Sequence, residues 1–154
     1  PTLAAGTQSN KVSSDLSETA LESALISISL TKDDRGLLIG ARAVSLHIPP
    51  QLQFVAHRIL FSDLRVGTAD NDTNAMKDMG LFSKGYTVNH RFTDPNAWFI
   101  RTDVPNGTKM FIRAPLATKD DVDFLTGNMR YKARERYSFG WSDWRQWYGS
   151  SGST

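Results

Sequence analysis

The chain has 154 residues, a formal net charge of +2 and no cysteine. That length is a prior for one domain burying roughly 70% of its unfolded surface, and 40% apolar with 22% charged residues is ordinary globular usage, which excludes wholesale disorder. Without cysteine there is no disulfide scaffold, thiolate-held metal or thiol nucleophile. No apolar run reaches the roughly 18 residues of a membrane span, and PTLAAGTQSN at the start lacks a basic-then-apolar export signal.

The sequence begins on Pro1, which reads as a processed chain or part of a longer polypeptide. Residues 1–14 are small and polar and read as an extended lead-in. Asp15 and Glu18 form a capping box, with Ser13 or Ser14 as alternative caps. Leu16, Ala20, Leu21, Ala24, Leu25 and Ile28 recur at helical spacing and predict an amphipathic helix over 15–29. Val44, Leu46 and Ile48 alternate with Ser45 and His47 as in a strand. Pro49-Pro50 ends it, and Leu52, Val55, Ala56, Ile59 and Leu60 predict a helix over 50–61. After the polar loop RVGTADND, a short helix over 72–79 is predicted, capped by Asp72 and closed by Gly80.

Beyond residue 80 the period becomes strand-like. Short runs at 86–91, 97–101 and 109–113 are separated by Asp94-Pro95-Asn96 and Pro105-Asn106-Gly107, and the Asn106-Gly107 pair predicts a hairpin. A long strand is predicted over 128–141, and 150–154 reads as a flexible tail. Helices first and strands later, without βαβ alternation, point to the α+β class.

Few residues suggest chemistry. Asp70, Asp72 and Asn74 match the first ligand spacings of a calcium loop, but Ala75 stands at the glycine position and Leu81 at the glutamate position, so a cap and polar loop is the better reading. His47, His57 and His90 fall in no metal-binding spacing, and there is no phosphate loop or nucleophile elbow. The carboxylates at 33, 34, 120, 121 and 123 lie in polar turns, where caps and solvation explain them. No catalytic residue, metal ligand or cofactor site is expected.

The distinctive segment is 128–148. It holds five cations against two carboxylates and seven of the sixteen aromatics. Read as a strand, Arg130, Lys132, Arg134 and Arg136 share one face about 7 Å apart. The other face, with Met129, Tyr131, Ala133, Tyr137, Phe139 and Trp141, is apolar but for Glu135 and is expected to pack on a core. Neighbouring carboxylates, nucleic-acid phosphates or plain water are the three ways to accommodate the cations. Trp141, Trp144, Trp147 and Tyr148 close together near a chain end suggest an interaction surface.

IPPQLQFVA, the aspartate–asparagine loop after RVG, NAWFI, PNGTKMFIRAPL and the terminal YKARERYSFGWSDWRQWYGS resemble the C-terminal half of tailed-bacteriophage major capsid proteins of the Hong Kong 97-like fold, in the style of the Mu-like major head subunit. The resemblance implies an axial-like domain over 15–125, the long strand and aromatic end of a peripheral domain over 126–149, and a tail over 150–154. It implies a non-enzymatic virion subunit, assembled in the bacterial cytoplasm, that tiles with copies of itself as pentamers and hexamers around double-stranded DNA. Arg130, Lys132, Arg134 and Arg136 would meet neighbouring subunits or packaged DNA. Trp141, Trp144, Trp147 and Tyr148 would anchor the chain end in its own or an adjacent subunit. The loop at 65–74, with Arg65, Asp70 and Asp72, would lie near a capsomer axis. The family's N-terminal arm, extended loop and spine helix have no counterpart here, so a missing N-terminal portion is an expected partner; no membrane is. The rival reading is a small basic and aromatic nucleic-acid-binding module, which wants cations and stacking rings on one face. A tryptophan-rich glycan-binding module is a weaker third, with no support from the arginine ladder.

Overall fold

A computed structural model describes residues 7–65 and 72–152. It forms two compact units, one of Pro1–Pro105 with Trp144–Thr154 and one of Asn106–Asp143. The boundary expected at 125/126 therefore falls elsewhere: it lies within a turn of the second unit, and residues 144–152 belong to the first.

The first unit is built on a mixed five-stranded sheet. Its strands are β1 (Lys11–Val12), β2 (Ala43–Ile48), β3 (Tyr86–Val88), β4 (Trp98–Thr102) and β7 (Trp147–Ser150), in the order β1-β7-β4-β2-β3. β2 runs antiparallel to β4 and parallel to β3, and β7 runs antiparallel to β4 and parallel to β1. Helix α1 (Glu18–Ser29) contributes Leu21, Ala24 and Ile28 to the core, and α2 (Gln53–Phe61) contributes Ala56 and Leu60. They pack with Leu46, Ile48, Trp98, Ile100 and Tyr148 of the sheet.

The cap of α1 is Ser17, whose Oγ accepts the Ala20 N–H at 3.2 Å, rather than Asp15 or the earlier serines. Starting there leaves Leu16 just outside the helix yet buried with Leu21, the apolar pair that fixes a helix entry. Pro50 opens a short 3-10 turn (Pro50–Leu52) before α2, where its missing N–H costs nothing. The third helix, α3 (Ala75–Asp78), is capped by Asn74 rather than Asp72. Asn74 Oδ1 accepts from Met76 N at 3.0 Å, while Nδ2 donates to the carbonyls of Ile59 at 2.7 Å and Ser62 at 3.0 Å. One buried amide thus joins the end of α2 to the start of α3. Asn74→Ala is expected to cost about 2–4 kcal/mol, combining a lost cap with two half-buried carbonyls that lose their donor, measured as the shift in urea unfolding.

Two sequence expectations about strands are corrected. Asn106 does take a turn conformation, with φ of 62°, but no hairpin forms across it: β4 pairs with β2 and β7, and the following strand pairs onward. The tail is also not loose at Ser150, which is 1% exposed. Its Oγ donates to Ser14 O at 2.6 Å and accepts from Ser14 N at 3.0 Å. Asn10 Nδ2 donates to the carbonyls of Trp144 and Trp147 at 3.2 and 2.8 Å, so the lead-in and the chain end hold each other.

The second unit is a two-stranded antiparallel ribbon of β5 (Thr108–Val122) and β6 (Met129–Trp141). β5 is far longer than the run at 109–113 foreseen from sequence. Its turn is closed by Asp123, which exchanges backbone bonds with Asn128 and Gly127 and accepts the Leu125 N–H on its carboxylate. Gly127 sits at φ of 68°, where a side chain would be strained.

Candidate subunit interface

Residues opposite each other in an antiparallel pair share a face. The register pairs Val122 with Met129, Thr118 with Ala133, Ile112 with Tyr137, and Met110 with Phe139. These residues, with Tyr131 and Trp141, form one largely apolar face of the ribbon, interrupted by Asp120 opposite Tyr131 and by Glu135. On the opposite face Asp121 pairs with Arg130, Lys119 with Lys132, Ala117 with Arg134, Ala114 with Arg136, Phe111 with Ser138, and Lys109 with Gly140. The four cations expected to share a face do share it. Arg130 is ion-paired with Asp123.

The apolar face does not pack on a core, contrary to the sequence expectation. Tyr131 is 79% exposed, Phe139 72% and Trp141 71%. A two-stranded ribbon has no second layer of its own, so neither face is covered from within. At the tip, Phe124 is 98% exposed and Leu125 is nearly as open. Tyr137 and Phe139 already make an edge-to-face pair with centroids 5.3 Å apart. Met110, Ile112, Val122 and the tip were missed in the sequence. The Asp-x-x-x-Gly turn at 123–127 was the signal that would have found them.

The four aromatics expected to act together do not form one cluster. Trp141 belongs to the ribbon, whereas Trp144, Trp147 and Tyr148 belong to the first unit. Tyr148 is buried there, and Trp144 and Trp147 are half-buried. Arg145 lies over the Trp144 ring at 4.9 Å and donates to Lys32 O at 3.0 Å and Asp34 Oδ1 at 2.7 Å. Of the residues expected near a capsomer axis, Arg65 donates through its backbone N–H to Asp72 O at 2.8 Å and through Nε to Glu18 at 3.1 Å. Asp70 lies outside the described residues.

His47 packs beside Trp147, with ring centroids 5.1 Å apart, and its Nε2 is 3.0 Å from Ser45 Oγ. Burial, followed by the nearby charge of Arg101, lowers its pKa below the ordinary 6.5. The unfolded chain then binds a proton that the folded chain resists. Stability contributed by neutral His47 is present above pH 6.5 and falls as pH drops from there toward the lowered folded value. His47→Gln is expected to flatten this part of the profile, measured as the difference in urea midpoint between the two proteins at acidic and neutral pH.

The first unit also offers an apolar groove of about 460 Å³ between α1 and α3, lined by Leu25, Ile26, Leu30, Met76, Met79 and Leu81. Among the described residues no cluster of histidine and carboxylate side chains could hold a metal, and no helix is long and apolar enough to cross a membrane.

A family model described as phage capsid protein matches residues 1–150. The chain is similar to the solved structure of a virus-like particle from Pyrococcus furiosus, with 12% identity, a TM-score of 0.48, and coverage of 91% of this chain and 55% of that one. It thus spans about half the length of that solved chain. No curated protein matches it. With a family match running over nearly the whole sequence, the chain belongs to the phage capsid protein family.

Proposed function

We propose that the chain is a shell subunit of the Hong Kong 97-like type, from a tailed phage, that tiles into pentamers and hexamers around double-stranded DNA. The observation that carries this reading is the ribbon's uncovered apolar face. Exposed apolar surface of this extent marks a protein interface, and a lone two-stranded ribbon is marginally stable in water. The groove between α1 and α3 is a second, unlike apolar surface. Unlike patches are what head-to-tail contacts need in order to close rings, and obligate contacts of that kind bury upward of about 2,000 Å². In this reading the first unit is the axial-like part, the loop around Arg65 and Asp72 lies near a capsomer axis, and the ribbon with Trp141 is peripheral. The missing N-terminal portion of the subunit would be a partner in the same shell.

The rival reading, a single-strand binder that stacks bases, loses support from the register. Tyr131 and Tyr137 stand on the face opposite Lys132, Arg134 and Arg136. Sedimentation velocity across a concentration series tests the proposal. Species far heavier than the 17.2 kDa chain, growing with concentration, are expected. A single monomeric boundary at every concentration would contradict it.

A further inference from the structure

We propose that the basic face of the ribbon binds the phosphate backbone of duplex nucleic acid, without regard to sequence. That the duplex would be one enclosed by a shell rests on the reading above, but the binding itself does not. The paired positions of that face carry Lys109, Lys119, Arg130, Lys132, Arg134 and Arg136 against one carboxylate, Asp121. Among the described residues Lys119, Lys132, Arg134 and Arg136 make no ion pair. Lys119 and Lys132 stand directly opposite each other, a like-charge pair that destabilises a ladder unless an anion lies over it. Along β6 the cations recur every second residue, about 7 Å apart, as a straight row of one sign.

Carboxylates of a neighbouring copy are a weaker fit to this row, because several of those described are already engaged. Asp33 accepts the backbone N–H groups of Leu37 and Arg35, and the first of these chiefly holds its pKa below the usual carboxylate value. Asp94 accepts from Asn96 N and Asp103 from Arg42 N. Glu18, Asp34 and Asp63 are ion-paired with Arg65, Arg145 and Lys77. Protein interfaces are moreover depleted of lysine, which stands here at 109, 119 and 132. A phosphate backbone instead offers a regular row of single-sign charge. Tyr131 and Tyr137 stand on the other face, and this one carries a single ring, Phe111 opposite Ser138, too few for a platform that stacks successive bases, so contact is with phosphates rather than with splayed single strands.

The test is fluorescence anisotropy of the full chain with a mixed-sequence duplex of about 30 base pairs, over ~50 to ~200 mM NaCl. Four phosphate contacts predict a slope of log K against log salt of about −3 to −4. The triple variant Lys132→Ala, Arg134→Ala, Arg136→Ala should lower that slope toward about −1 and weaken binding at low salt at least about tenfold. Lys132→Arg, Arg134→Lys, Arg136→Lys should keep both. A wild-type slope near zero, or a triple variant that binds as the wild type does, overturns the proposal. So does a preference for single-stranded DNA that is lost in Tyr131→Ala. Sedimentation of the same proteins separates the two readings: loss of assembly in the triple variant with unchanged DNA binding assigns the row to neighbouring subunits and overturns this proposal. The expected DNA slope in a chain that never assembles leaves it standing while the shell reading falls.

Discussion

Replacing both Tyr137 and Phe139 with aspartate is expected to abolish assembly while leaving the first unit folded. The two rings sit side by side on the apolar face and are open to solvent in the single chain. Each aromatic can bury about 150–250 Å² when a partner covers it, and central aromatic anchors commonly cost 2 kcal/mol or more when removed. Two of them together amount to about 4 kcal/mol or more, so the threshold concentration for assembly should rise at least about 500-fold. Placing two carboxylates in a desolvated contact adds to the loss. The first unit should keep its thermal midpoint, because both rings belong to the other unit. Ser138→Asp puts one carboxylate on the opposite face and should leave the threshold nearly unchanged. Assembly of the double variant at the wild-type threshold, read by light scattering, would show that this face is not an interface.

Trp98→Ala carries the largest expected cost to the fold itself. Trp98 is fully buried in β4, between β2 and β7, and its Nε1 donates to Ser14 O at 3.0 Å. Truncating a buried tryptophan costs about 3–5 kcal/mol. Domains are stable by only about 5–15 kcal/mol in all, so the variant should be largely unfolded at body temperature or unfold in very little urea. Trp98→Phe keeps most of the volume and loses the indole bond, and should fall between. A loss below about 1.5 kcal/mol for the alanine variant would mean that the sheet is not held as described.

Much of this architecture was legible because local and global signals agree. The stripe of Leu21, Ala24 and Ile28 fixed α1, and the alternation about Leu46 and Ile48 fixed β2. The cation row from Arg130 to Arg136 fixed both the strand β6 and its two faces, since a helix would have scattered them. Residues 108–122 were not legible as one strand. Pro115 and the Lys119-Asp120-Asp121 run argue for a loop, and only pairing with β6, which takes bulges on either side of Ala114, overrides them. The Asn106-Gly107 pair misled for a related reason: its turn links two units rather than two paired strands.

The candidate interface was half visible. Its aromatic residues on β6 stood out by composition, but alternation alone makes an apolar face look like a core face. What decides the matter is whether a second layer exists, and that depends on residues distant in sequence. Trp144, Trp147 and Tyr148 show the converse. They looked like an exposed cluster near a chain end, but pairing of β7 with β1 and β4 draws that end into the first unit's sheet and buries Tyr148.

Electron cryo-microscopy of the assembled protein tests the central claim most directly. A closed shell is expected, with Tyr131, Tyr137 and Phe139 of every copy covered by another protein surface. A particle in which those rings face open solvent, or a preparation holding only lone chains, would contradict it.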